Sequence, residues 1–70
     1  MTWNHRVLRY EDGTLGIHEV YYENGEPTMC TMEAVGAQGD TLEELLEELH
    51  RMSVCVTLPI LDYEDIGCHE

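Results

Sequence analysis

Two turn dipeptides, Asp12-Gly13 and Asn24-Gly25, divide the first half of the chain into three segments. Both dipeptides favour tight β-hairpins, because Gly and Asn readily adopt the positive φ angles of two-residue turns. The first two segments are rich in the aromatic and branched side chains that suit strands, and Pro27 can stand at the start of the third. The sequence therefore predicts three antiparallel strands, at about residues 3–10, 15–22 and 27–34.

A helix is predicted after the strands. Thr41 has the chemistry of an N-cap, and Glu44, three residues on, completes a capping box. One apolar face at helical spacing follows and leads to Met52; we name its four leucines, Leu42, Leu45, Leu46 and Leu49, the leucine stripe. We predict a helix at about residues 42–57, with a strand over 53–57 as the alternative, and an acidic tail at 60–70 that can add a short strand.

The predicted turns also predict the register of the sheet. One face then carries Leu8 and Ile17 and is the more apolar, so we expect the leucine stripe to cover it. The other face is left as a candidate surface for a homodimer or a partner; it carries Trp3, Val7, Val20, Tyr22 and Met29. The expected fold is a single α+β domain over residues 1–70, with a three-stranded antiparallel sheet (β-β-β-α) and one helix packed on one face.

Charge is the strongest functional signal. Fifteen Asp and Glu residues face three Arg and no Lys, for a net charge of -12. Because nucleic-acid phosphates and anionic membranes are bound by clustered Lys and Arg, we expect no direct contact with either. A partner protein with a basic, nucleic-acid-binding surface fits this charge. The alternative is that the acidity only keeps a small protein soluble.

The carboxylates of the predicted helix are regularly spaced. Glu43 and Glu47, like Glu44 and Glu48, are four residues apart and form two like-charged columns on the solvent face. Each column rises about 6 Å per step, similar to the spacing of phosphates along a nucleic-acid strand, and could occupy Lys and Arg sites built for phosphate. The candidate partner-binding residues are these four glutamates with Asp40, Glu11, Asp12, Glu23 and Glu26.

Catalytic and metal-binding patterns are not evident. His5 and His18 lie diagonally on one predicted face with no third ligand, and Cys30 points to the opposite face. We therefore expect no enzymatic activity, no metal and no cofactor. Cys30, Cys55 and Cys68 are odd in number and lack a CxxC pair, which predicts no disulfide framework and favours the reducing cytoplasm.

The segment Gly39-Asp40-Thr41-Leu42-Glu43-Glu44-Leu45, placed after three strands, resembles the N-terminal domain of HicB-type antitoxins. The resemblance covers about residues 3–57 as a pattern and this one segment as a motif. It implies a truncated RNase H-like fold and neutralisation of a small toxin ribonuclease. The family's C-terminal DNA-binding domain and its Pro-Asp-Leu-Pro-Gly-type stretch have no counterpart here.

In size, acidity and lack of catalytic motifs, the chain also resembles the small phage-encoded inhibitors that mimic nucleic acid, anti-CRISPR proteins among them. The leading interpretation is therefore a non-catalytic inhibitor that blocks a nucleic-acid-binding protein. An antitoxin-like module and a housekeeping homodimer without inhibitory role are the alternatives.

Overall fold

The computed structural model describes residues 2–66. Strand β2 (Leu15–Glu23) forms antiparallel pairs with β1 (Thr2–Arg9) and with β3 (Glu26–Cys30), and β4 (Leu61–Asp62) pairs with β1 in parallel. The sheet is therefore mixed and has the order β3-β2-β1-β4. The fold is therefore α+β, as predicted, but with a fourth, short strand in the sheet. Between β3 and β4 lie the helix α1 (Leu42–Ser53) and a 3-10 turn (Val54–Thr57), and a second 3-10 turn (Tyr63–Asp65) follows β4.

The second hairpin has the predicted two-residue turn. Asn24 and Gly25 have φ angles of 53° and 82°, the left-handed conformations that such a turn requires. Glu23 and Glu26 pair directly across it. The strand prediction was too long here: β3 ends at Cys30, not near residue 34. One residue later, the Thr31 carbonyl lies 2.8 Å from the Nδ1 atom of His18.

The first hairpin differs from the prediction by one residue. The amide of Tyr10 donates to the carbonyl of Thr14, and the amide of Gly13, whose φ is 92°, donates to the carbonyl of Tyr10. This is a three-residue loop, in which a tight turn is followed by a left-handed glycine. Leu15 consequently pairs with Arg9 and not with Tyr10, so the predicted register was wrong. A one-residue slip changes which residues of β1 and β2 share a face.

The core lies on the face that carries Leu8, Val20 and Cys30, and the C-terminal segment covers it. Ile66 completes this buried cluster, and Leu61 and Tyr63 pack against it. The predicted tail is thus a structural element as far as residue 66, and its β4 is the short strand expected there. Residues 67–70, including Cys68, lie outside the described residues.

The helix begins as predicted. The Thr41 hydroxyl accepts a hydrogen bond from the Glu44 amide at 3.1 Å, and the Glu44 carboxylate accepts one from the Asp40 amide at 3.0 Å. Gly39 lies directly against the first turn, where a Cβ atom would stand 2.6 Å from the amide nitrogen of Leu45. The α-helix ends at Ser53, and the remaining predicted residues form the 3-10 turn, which contacts β1.

The leucine stripe does not cover the sheet, contrary to the prediction. Leu42, Leu46 and Leu49 are 82%, 53% and 49% exposed, whereas Met52 is buried. The core face that the stripe was expected to cover is occupied by Leu61, Tyr63 and Ile66. The helix therefore directs its buried side chain, Met52, inward and leaves three leucines at the surface, with Leu45 half-buried.

The predicted dimer face also needs correction. Val20 is fully buried and Val7 is 8% exposed, while Tyr22 packs against the core cluster. In the observed register Trp3 pairs with Tyr21, and Tyr21 with Met29. Trp3 and Met29 are exposed, so these two members of the predicted set remain at the surface, in a row with Tyr21.

Candidate partner-binding surface

The outer side of α1 combines the leucine stripe with two carboxylates. Glu43 and Glu47 are exposed, and among residues 2–66 neither carboxylate accepts a hydrogen bond or forms an ion pair, although the charge of Glu47 contributes to the raised pKa of Arg51. Leu46 lies between these glutamates and the other leucines, because residues three and four apart are neighbours on a helix surface. The four leucines and Glu43 line a shallow groove of about 410 Å³. We name Glu43, Glu47 and the leucine stripe the helix surface.

The other two predicted glutamates of the helix have structural roles. Glu44 accepts the capping hydrogen bond from the Asp40 amide. Glu48 forms an ion pair with Arg51 at 2.6 Å, and this carboxylate raises the pKa of the Arg51 guanidinium, first through the hydrogen bond and then through its charge. Glu43 and Glu47 are therefore the helix carboxylates that remain available to a partner.

The acidic residues of the two hairpins do not lie together. Glu11 and Asp12 lie at one end of β2, and Glu23 and Glu26 lie at the other. A nine-residue strand is about 30 Å long, so the two pairs are separated by the length of the sheet. The predicted set of acidic residues therefore does not form one continuous patch.

Both acidic residues of the first loop, Glu11 and Asp12, interact with other residues of the chain. Asp12 accepts hydrogen bonds from the amide of Thr14 at 3.0 Å and from its hydroxyl at 2.7 Å, and these bonds lower the pKa of Asp12. The charge of Glu11 is the main cause of a raised pKa at Glu64. Sequence reasoning missed this contact, because it depends on the path of the C-terminal segment.

A cleft of about 580 Å³ separates the start of β1 from the end of the helix. Its walls include Trp3, His5, Arg51 and Cys55. Trp3 packs edge-on against His5 at 5.4 Å between ring centres. Cys55 is buried, and its burial raises the pKa of the thiol, which opposes the formation of a nucleophilic thiolate. The Cys55 thiol is therefore not activated as a nucleophile.

The remaining cysteine in the described part of the chain was not predicted correctly. Cys30 is disulfide-bonded, whereas the cysteine count had predicted no disulfide framework. A metal site is not evident either: residues 2–66 contain no group of three His, Cys, Asp or Glu side chains that could hold an ion.

A polar network surrounds the buried side chain of His18, and sequence reasoning missed it. His18 is fully buried. Its Nδ1 atom lies 2.8 Å from the Thr31 carbonyl, and its Nε2 atom lies 2.6 Å from the Tyr10 hydroxyl. Because a carbonyl can only accept, Nδ1 carries the hydrogen, and in the neutral ring Nε2 then accepts from Tyr10.

The surroundings of this network hold Tyr10 in place. Its ring packs edge-on against Tyr63, with 5.6 Å between ring centres. Gly16 leaves room for the Tyr10 hydroxyl, which a Cβ atom at that position would overlap. Burial is the main cause of the raised pKa of Tyr10. The sequence did indicate the burial of His18, because alternate residues of a strand lie on the same face and His18 therefore shares a face with Val20.

Comparisons of the chain with protein-family models, with curated proteins and with solved structures find no match. Within residues 2–66, none of the helical segments has both the length and the apolar character needed to cross a membrane.

Proposed function

We propose that this protein is a non-catalytic inhibitor that occupies the basic surface of a nucleic-acid-binding protein or complex, in the manner of the small acidic anti-CRISPR proteins. The observation that carries the proposal is the pair Glu43 and Glu47, exposed on one helix of a chain with a net charge of -12. They stand four residues apart, about 6 Å along the helix axis. Lys and Arg side chains arranged to bind phosphates can pair with carboxylates at such spacing.

Few of the negative charges are neutralised by ion pairs within the chain, which supports the proposal. Within the described residues, the ion pairs are Arg9 with Asp62 at 3.4 Å and Arg51 with Glu48 at 2.6 Å. Most carboxylates therefore contribute to a negative field, which attracts a basic partner over long range and accelerates association at low salt.

A cytoplasmic location is part of the proposal. The disulfide bond of Cys30 is the observation that weighs against it, because such bonds are rare in reducing compartments.

The test is capture of a partner by the immobilised chain, followed by salt titration and competition with duplex DNA. The proposal expects binding to weaken steeply with salt and to be displaced by DNA. Glu43→Gln with Glu47→Gln should weaken binding strongly. Glu23→Gln with Glu26→Gln, which removes the same charge at the second hairpin, is the matched control and should have a small effect. Equal effects of the two pairs would leave only net charge and refute a specific helix surface.

An antitoxin-like module that neutralises a small toxin ribonuclease is the second candidate. The exposure of Leu42, Leu46 and Leu49 favours it, since a contact that masks a toxin by burying apolar surface needs such residues. This candidate expects the captured partner to be a small ribonuclease whose binding depends on the leucines and withstands salt. Binding that is displaced by DNA and insensitive to the leucines would exclude it.

A further inference from the structure

The leucine stripe is a contiguous apolar surface, and charge-based binding of a partner does not explain it. Leu42, Leu46 and Leu49 are all at least about half exposed, and with Leu45 they line one groove along the helix. Single exposed leucines are ordinary, but a continuous row of them on a small domain is typical of a surface that another molecule covers.

Charge decides between the candidates that could cover this stripe. Glu43 and Glu47 run along one side of it without an ion pair among the described residues. A second copy would bring another chain with a net charge of -12 and another pair of unpaired glutamates to the same contact. Like charges that face each other across an interface oppose binding, whereas Lys and Arg would pair with Glu43 and Glu47.

We propose that the leucine stripe binds a basic amphipathic helix of the partner, one whose apolar face is bordered by Lys or Arg. This inference rests on the proposed function and adds its apolar anchor. The leucines are spaced i, i+3, i+4 and i+7, the pattern by which two helices pack ridge into groove. The glutamates beside Leu46 then pair with the cationic border, and the contact combines apolar burial with charge complementarity.

The probes are two synthetic peptides of leucine and lysine, each about 14 residues or four helical turns long. The stripe peptide places its leucines on one helical face, and the scrambled isomer has the same composition without such a face. Affinities of the full chain for both are measured by calorimetry at two salt concentrations. The inference expects the stripe peptide to bind about tenfold tighter than the isomer, since each half-exposed leucine still has apolar surface to bury.

Variants separate the anchor from the charge. Leu46→Gln with Leu49→Gln should abolish the preference for the stripe peptide. Leu15→Gln is the matched control, because Leu15 is as exposed as Leu46, at 53%, but lies on β2. All three positions are exposed, so circular dichroism should show an unchanged fold. Glu43→Gln with Glu47→Gln should weaken binding of both peptides and leave the preference between them.

The outcomes are distinguishable. If both peptides bind equally and the leucine variants have no effect, the apolar anchor is overturned, while glutamate-dependent binding still supports the proposed function. If the glutamate variants have no effect on either peptide, the proposed helix surface fails. If sedimentation shows a dimer that the leucine variants dissociate, the occupant is a second copy and the inference is overturned.

Discussion

Replacement of Tyr10 by phenylalanine tests the buried histidine network directly. The substitution keeps the aromatic ring, which packs against Tyr63, and removes only the hydroxyl that lies 2.6 Å from His18 Nε2. Because His18 is 0% exposed, water cannot readily replace the lost donor. A buried acceptor without a partner costs about 1–3 kcal/mol, so we expect the free energy of unfolding to fall by about 2 kcal/mol.

The same substitution at Tyr21 is the matched control. Its hydroxyl donates a hydrogen bond of equal length, 2.6 Å, to the carboxylate of Glu19, but Tyr21 and Glu19 are only half-buried. Water can hydrate that carboxylate after Tyr21→Phe, so the expected loss is below about 1 kcal/mol. Both substitutions remove a tyrosine hydroxyl from a bond of 2.6 Å, and the expected contrast arises because water can reach the Glu19 carboxylate but not the buried His18 nitrogen.

Urea denaturation monitored by circular dichroism measures both variants against the unmodified chain. A loss of about 2 kcal/mol in a domain of this size also lowers the melting temperature by about 10 °C. An equal effect of the two substitutions would refute the reasoning, because it would mean that the Tyr10 hydroxyl does not satisfy a buried nitrogen. A complementary readout is the tautomer of His18 by nitrogen NMR, which should show the hydrogen on Nδ1 in the unmodified chain.

Two further predictions concern local geometry. Gly39→Ala should destabilise the fold by about 1–3 kcal/mol, because the new Cβ atom would meet the backbone of the first helical turn. Gly36→Ala is the control, since a Cβ atom at Gly36 meets nothing within 4 Å. An equal melting temperature for the two variants would contradict the explanation. Thr14→Val should raise the lowered pKa of Asp12 part of the way towards its ordinary 3.8, since the hydroxyl bond is lost and the larger contribution, from the backbone amide, remains. A carboxyl group with a lowered pKa in the folded state stabilises the fold at a pH above its ordinary pKa, and this stabilisation is lost as the pH falls through the folded-state pKa. The variant should therefore lose less stability on acidification. An unchanged titration of Asp12 by NMR would contradict this prediction.

The sequence predicted the features that depend on neighbouring residues. The Asn24-Gly25 turn, the start of the helix at Leu42 and its cap at Thr41 all follow from φ preferences and hydrogen bonds within a few residues. The β-β-β-α order and the limits of β1 and β2 follow from composition in the same way. The motif that begins at Gly39 acquires a physical reason from the structure, because only a residue without a side chain fits against the first turn.

The register of the first hairpin was beyond local rules. Asp12-Gly13 is compatible with a two-residue turn and with the observed three-residue loop, and the two differ by one residue in register. Only the packing of the sheet selects between them. The observed choice places His18 with Arg6 and moves Val7 and Val20 to opposite faces.

What covers each apolar surface was decided by tertiary structure alone. The amphipathic pattern predicted an apolar contact between the leucine stripe and the sheet, but Leu61, Tyr63 and Ile66 occupy the core face instead. Burial is a competition among all segments of the chain, and the outcome depends on contacts between residues far apart in sequence. The sequence by itself determined the order of the first three strands and the helix, the start of the helix and the net charge. The tertiary structure decided that Glu43, Glu47, Leu42, Leu46 and Leu49 remain exposed on the helix.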